Sequence, residues 1–317
     1  MKYTRLTLEE RWHIQVHYDN GESIGWISRH MGRSHSTISR ELSRNSTVHG
    51  YKAEQAQRIS SNRTAYRNNQ RRKIREDLQD LVISKLQEQW SPEQISGWLK
   101  SKKNIQLSHE TIYKFVWRDK RNGKAGLYKF LRHSGRKYQK RGQQKYAGRG
   151  YIPGRIDIDE RPAIVEQKSR IGDWELDTIV GEKQQGYIVS MVDRMSKYTK
   201  LVLVKDSKAE TVKTAVLQAL SHFQNKVLTL TADNGKEFSQ HQTIAKQLAA
   251  NFYFAKPYHS WERGLNEHTN GLVRQFLPKK TNFLDVSHAY VQTIQDKLNN
   301  RPRKALGFLT PHEVFDP

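Results

Sequence analysis

The sequence predicts a multidomain protein in which all-α helix-turn-helix modules precede an α/β domain built on a mixed β-sheet. Three observations carry that prediction. Charge is uneven: residues 1–170 hold 36 Lys+Arg and 17 Asp+Glu, a balance of +19, whereas residues 171–317 hold 19 and 15, a balance of +4. The front half repeats one pattern, a Ser-capped helix followed by a second Ser-capped helix that is polar and basic on its outside. The back half runs βββ-α-β-α-β-α, the order of helices packed against a mixed sheet.

In the first module, Leu8 to Tyr18 reads as a helix that Asn20-Gly21 stops. Ser23 caps a second helix with Ile24, Ile27 and Met31 at helical spacing. Gly32-Arg33 makes a tight turn, and Ser34 caps "HSTISRELSR", whose Ile38 and Leu42 face inward. Such a pattern is a helix-turn-helix or, more plainly, a three-helix bundle. Its outer face offers His35, Ser36, Ser39 and Arg40, with Arg44 beyond them, to a major groove.

The pattern returns over 78–118. "DLVISKLQEQW" is a helix, "SPEQISGWL" opens another with Ser91, Pro92 and Gln94 forming a capped start, and Ser108 caps "HETIYKFVW". Ser108-to-Ile112 repeats the Ser34-to-Ile38 spacing, with a turn about six residues longer before it. His109 and Lys114 are its candidate DNA contacts. "RISSNRTAYRNNQRRKIRED" connects the modules as a basic helix. From Lys120 to Ile156 there are twelve Lys/Arg and no acid, with Tyr128, Tyr138, Tyr146 and Tyr151 interspersed. That stretch reads as a flexible arm or tether on which Arg136, Lys137, Lys140 and Arg141 grip phosphates and tyrosines stack. The expected divisions are 1–50, 51–77, 78–119, 120–168 and 169–317.

Composition narrows the function. A formal charge of +23 and a pI near 10 imply a polyanionic partner. The absence of cysteine excludes disulfides and cysteine-zinc sites and suits a reducing cytosol. No apolar run reaches the ~18–20 residues of a membrane span, and the N-terminal stretch has no apolar signal core, so a cytoplasmic protein is expected.

In so basic a chain the acids are informative. "DWELDTIVG" (173–181), "GYIVSMVDR" (186–194) and "YTKLVLVKD" (198–206) form a meander of strands. Helix 208–223, strand 227–233, helix 238–249, strand 251–255, helix 261–277 and a last helix 287–300 follow. Asp173, Glu175 and Asp177 share one strand face, so alternation alone does not choose among them. Asp233 ends a strand at "TADNG", a sequence that is also a common turn. Asp193 in "VDRMSK" reads as a hairpin corner. Helix 261–277 carries two glutamates: Glu262, in the first turn where the helix dipole favours it, and Glu267, on one face with Asn270 and Arg274. Arg274 suits a bidentate phosphate contact. His259 and His268 read as ordinary polar residues or phosphate contacts.

"WELDTI", "TADNGKEF" and "PYHSWERGLNEHTNGLVRQF" resemble the three blocks of the D-D-E transposase and retroviral-integrase superfamily, whose core is ribonuclease-H-like. The last block continued by "LNNRPRKALGFLTPHEVF", and the N-terminal "LTLEERWHI…SHSTISREL", resemble the IS-thirty family of bacterial insertion-sequence transposases. Asp233 and Glu267 are separated by 33 residues, the gap typical of that family. Leu176 and His268 stand where the family often has Gly and Asn. The resemblance implies Asp177, Asp233 and Glu267 as catalytic metal ligands, Asn234 and Asn270 as supporting residues, and two Mg²⁺ for which Mn²⁺ substitutes. It also implies a DNA transposase that binds terminal inverted repeats, then cleaves and joins strands as a dimer or larger assembly on bacterial nucleoid DNA. A DNA-binding regulator with an inactive core and a plain nuclease are the competing readings.

Overall fold

The computed structural model describes residues 4–70, 74, 76–132, 152–256 and 264–316. They divide into two compact units, Met1–Glu76 and Asp77–Pro317.

The first unit is helical. Helix α1 (Leu8–Asp19) starts at a reciprocal cap: Thr7 Oγ1 accepts from Glu10 N and the Glu10 carboxylate accepts from Thr7 N at 2.7 Å. A cap of this kind is worth ~1 kcal/mol. Helix α2 (Ile24–His30) is capped by Ser23, which accepts from Trp26 N. Gly32, at φ +61°, turns the chain in the left-handed region before α3 (His35–Asn45). Ser34 takes the cap position of α3, but its hydroxyl bonds the hydroxyls of Ser36 and Thr37 rather than a backbone N–H. Helix α4 (Ala53–Gln70), in the segment expected to connect the modules, packs into the core of this first unit. Ile14, Ile27, Ile38, Leu42, Tyr51 and Ala56 close the core. Inside it Arg11 Nε pairs with Glu41 at 2.7 Å, and the Tyr51 hydroxyl donates to the same carboxylate.

Helix α5 (Glu76–Gln87) leads into the second unit, followed by α6 (Pro92–Lys103) and α7 (His109–Arg121). Both expected caps form: Ser91 with Gln94 reciprocally, and Ser108 accepting from Thr111 N. The expected long turn does not. Helix α6 has 12 residues against 7 in α2, so helix rather than turn absorbs the added length. "KSKK" is exposed and gives no apolar period, which is why its helical continuation was invisible.

After the short helix α8 (Ile164–Gln167), strands β1 (Asp173–Val180), β2 (Tyr187–Asp193) and β3 (Thr199–Val204) form the meander. Helix α9 (Ala209–Leu220), β4 (Thr229–Ala232), α10 (His241–Leu248) and β5 (Asn251–Phe254) follow. The sheet order is β3-β2-β1-β4-β5, with β1/β2 and β2/β3 antiparallel and β1/β4 and β4/β5 parallel. Helices α11 (Gly264–Phe276), α12 (His288–Asn299) and α13 (Pro311–Phe315) complete the unit.

Strand alternation sorts the side chains between two cores. Trp174, Leu176, Val189 and Met191 pack with α9 and α10 on one face. Ile179, Ile188 and Leu201 pack with α11 and α12 on the other. Asp173, Glu175 and Asp177 have the parity of Ile179 and therefore lie on the α11 side. Phe315 of α13 stacks on Tyr198 at 4.3 Å and closes an aromatic group with Trp174 and Phe223. No helix among the described residues is long and apolar enough to cross a membrane.

Candidate active site

The three acids of β1, equivalent by spacing, differ in surroundings. Asp173 is fully buried, gripped by Arg170 through two hydrogen bonds of 2.9 and 3.0 Å and by the Thr229 hydroxyl at 2.8 Å. Glu175, also buried, pairs with Arg194 Nη1 at 2.9 Å and accepts from Asn266 N. Arg194 reaches on to Glu166, which pairs in turn with Arg161. Burial first, then repulsion from Arg194, pushes the Arg161 pKa down. Both acids thus neutralise cations in the interior. Asp177 alone of the three is half-buried, near the carboxyl end of β1. Asp193 is a buried hairpin staple that accepts from Gly172 N, Ser196 N and the Ser196 hydroxyl.

Strand β4 brings the next acid. Its parallel register with β1 pairs Asp173 with Thr229 and Glu175 with Thr231. Strand β4 ends at Ala232, so Asp233 directly follows the strand that runs parallel beside β1. Asp233 has the parity of Thr229 and Thr231, whose hydroxyls meet Asp173 and Arg161, so it lies on the α11 side too. Its Oδ1 accepts from Gly235 N at 2.9 Å. Asn234 is buried and holds this loop: it accepts from Arg155 at 2.6 Å and donates to Ala255 O at 2.6 Å. The sequence did not single out Glu237, which accepts from the Thr178 hydroxyl at 3.0 Å and so spans the two strand ends.

Helix α11 packs Asn266, Thr269, Leu272 and Val273 inward. Asn270 donates to Asp177 Oδ2 at 2.8 Å and accepts from the Ser190 hydroxyl at 3.0 Å, tying α11 to β1 and β2. Glu267, one turn earlier, is exposed. Glu262 and His259 lie outside the described residues. Among the described residues no three His, Asp or Glu side chains gather closely enough to hold one metal ion in common. Asp177 and Asp233 offer carboxylate oxygens on, or directly after, neighbouring strands, and Mg²⁺ commonly takes one or two carboxylates with substrate phosphates and water.

Arg274 differs from the sequence expectation. Its guanidinium donates to the carbonyls of Val180 (2.6 Å), Leu277 and Pro278 and lies over the Phe283 ring, so it fastens the end of α11 instead of standing open to a phosphate. His268 neighbours Arg132 and Arg303; burial first, and then those two cations, push its pKa down.

On α3, His35, Ser36, Arg40 and Arg44 are exposed and Ser39 is half-buried. Arg40 folds back to Ser36, donating to its carbonyl at 2.7 Å and its hydroxyl at 2.9 Å. Arg40 and Arg44 line a basic groove with Arg5, Arg63 and Arg67. His109 and Lys114 are exposed on α7. Arg136, Lys137, Lys140 and Arg141, with Tyr138, Tyr146 and Tyr151, lie outside the described residues.

Residues 2–45 match the family described as "Helix-turn-helix domain" and residues 167–260 the family described as "Integrase core domain". The second match includes Asp177 and Asp233 and ends short of Glu267. The transposase for insertion sequence element IS4351 of Bacteroides fragilis is 44% identical, covering 98% of this chain and 95% of that protein. Transposase InsI for insertion sequence element IS30A of Escherichia coli (strain K12) is 35% identical over 98% of this chain and 83% of its own length. Among solved structures, the catalytic core domain of BIV integrase has a TM-score of 0.34 at 22% identity, covering 45% of this chain and 91% of that one. On near-full-length identity of this degree, the chain belongs to the IS30 (IS-thirty) family of insertion-sequence transposases.

Proposed function

We propose that the chain binds the terminal inverted repeats of an insertion element and, with Asp177, Asp233 and Glu267, performs metal-dependent cleavage and transfer of DNA strands. One observation carries the catalytic part. Asn270 hydrogen-bonds Asp177 of β1 from the helix that bears Glu267, and Asp233 directly follows β4, the parallel neighbour of β1. Two carboxylates at adjacent strand ends, with a third on a helix tied to the same edge, suit an ion pair working on a phosphodiester.

Asp177 and Asp233 would hold a first divalent cation, and Glu267 would complete the set with a second when DNA is seated. Mg²⁺ or Mn²⁺ bound there would stabilise charge on the phosphoryl oxygens and ease deprotonation of the attacking hydroxyl group. The protein's own part is orientation. Asn270 and Thr178 N fix the Asp177 carboxylate, and Gly235 N fixes that of Asp233. Water attacks at the element end and releases a 3′-OH, which attacks a second phosphodiester and expels a new 3′-OH. Helices α3 and α7 read the repeats, and the basic arm holds flanking phosphates. Two ends must meet, so a dimer or larger assembly does the work, on nucleoid DNA in the cytoplasm.

The test supplies purified chain, Mg²⁺ or Mn²⁺, and oligonucleotides bearing the element's ends. Nicking and joining by wild type, lost in Asp177→Asn, Asp233→Asn and Glu267→Gln and on chelation, is the expected result. Wild type no better than Asp233→Asn would sink the enzymatic reading. Activity lost in Glu262→Gln but kept in Glu267→Gln would reverse the choice of glutamate. Affinity for the ends should fall with salt at a slope of ~−0.9 per phosphate neutralised.

A further inference from the structure

Within the second unit, a cavity of about 290 Å³ separates the second helical module from α11 and the segment after α12. Tyr113, Trp117, Arg132, His268, Arg301 and Arg303 are among its lining, and no acid lines it among the described residues. Arg301 is 2% exposed, yet its hydrogen bond to Gln275 Oε1 is long at 3.4 Å, and its Nε and Nη2 are buried without an acceptor. Arg303 donates through Nη2 to Leu298 O at 2.9 Å and leaves Nε buried without one.

Buried cations are ordinarily paired, because desolvating an unpaired charge costs several kcal/mol. Here the strain registers as pKa shifts: burial, then Arg301 and Arg132, push Arg303 down to about 9, and burial with Arg132 pushes Arg301 to about 10. A guanidinium gives up its proton very reluctantly, so a counter-anion is the natural relief. The orphaned N–H groups belong to two planar forks, whose geometry matches the paired oxygens of a phosphate. Trp117 and Tyr113 are each more than a third exposed and offer flat faces to a sugar or base. His268, Leu272 and Gln275 line the cavity from the face of α11 next to the one that carries Glu267, about 100° round the helix.

We propose that the cavity walled by Arg132, Arg301 and Arg303 seats one backbone phosphate of the DNA beside the position on which Asp177, Asp233 and Glu267 act. The anion site rests on three guanidinium side chains lining one cavity with no acid among them, two of which keep N–H groups without an acceptor, whereas DNA as the source of the phosphate rests on the function proposed above.

Two measurements on the full chain, both without divalent metal, test this apart from catalysis. First, melting is followed against inorganic phosphate at constant ionic strength. Wild type should be stabilised saturably, and Arg301→Gln and Arg303→Gln should lose that response. Arg132→Gln alters the exposed member and should weaken the response even if the buried variants fail to fold. Second, duplexes of the element's ends carry one neutral methylphosphonate at a time. One position near the cleavage site should weaken wild-type binding roughly tenfold or more, and Arg132→Gln or Arg301→Gln should abolish that sensitivity. Equal phosphate responses in wild type and all variants, or none in any, would overturn the site. A saturable response with no sensitive backbone position would overturn DNA as its source and leave a small-anion site. Loss of strand cleavage alone would count against the proposed function without touching the anion result.

Discussion

Asn270 Nδ2 donates to Asp177 Oδ2 at 2.8 Å while Asn270 Oδ1 accepts from the Ser190 hydroxyl, so one amide couples a candidate catalytic carboxylate to helix and sheet together. Removing it takes away one of the hydrogen bonds that orient the Asp177 carboxylate and loosens α11, which carries Glu267. Asn270→Ala should lower strand cleavage by about 10–100-fold, the usual effect of losing a partner that orients a metal ligand. The stability loss should be only ~1–2 kcal/mol, since two ordinary hydrogen bonds disappear from a half-buried site. Cleavage rates read beside melting curves check this. Unchanged cleavage in a folded variant would contradict the orienting role.

Asp177 and Glu175 sit two residues apart on one strand face and should respond in opposite ways. Glu175 is the buried partner of buried Arg194, so Glu175→Ala should destabilise the unit by up to about 3–5 kcal/mol, leaving that charge only the exposed Glu166. Asp177→Asn should keep the fold and lose strand cleavage. Denaturant unfolding and an end-cleavage assay on both variants separate the two roles; a fully stable Glu175→Ala would refute the structural assignment.

Much of this architecture was legible from local pattern. The meander strands are β-rich runs between short Gly- or Ser-containing turns, and the Ser caps at 23, 91 and 108 mark helix starts because short polar side chains satisfy free N–H groups there. What escaped was non-local. Alternation left Asp173, Glu175 and Asp177 equivalent and only the family resemblance pointed to Asp177; that Arg170 and Arg194 fold against the other two carries no sign in sequence. Arg274 looked like a phosphate ligand because its helical spacing was right; the carbonyls that occupy it come from Val180 and from the chain just past α11. Nothing in the sequence marks Arg301 as buried or Arg303 as half-buried; packing alone does that.

Contact between the second helical module and the C-terminal tail rests on a glycine. A Cβ on Gly97 of α6 would lie 2.2 Å from the Phe308 ring, so the ring seats directly on the helix backbone. In an open helix, Gly→Ala would stabilise by ~1 kcal/mol. Here Gly97→Ala should instead destabilise by about 1–3 kcal/mol, as forced overpacking does. Phe308→Ala should restore the ordinary sign, so that Gly97→Ala becomes stabilising in that background. A thermal double-mutant cycle reads the reversal. Additive effects would mean the ring does not seat there.

The same contact carries a pH-sensitive clamp. Lys102 of α6 donates to Glu313 of α13 at 2.7 Å, and Thr310 N donates to the other carboxylate oxygen at 2.8 Å. The Lys102 hydrogen bond first, then that of Thr310, hold the Glu313 carboxyl below its ordinary 4.5. A folded pKa below the unfolded one gives stability that is full above about 4.5 and lost as pH falls through the folded value. Both side chains are more than a third exposed, so the contribution is small, about 0.2–1 kcal/mol. Glu313→Gln keeps the capping geometry and removes only the charge. Melting curves of wild type and variant should therefore differ at pH 7 and converge on the acid side of 4.5. A gap that persists undiminished to pH 3 would show that the carboxylate charge is not what fastens α13 to α6.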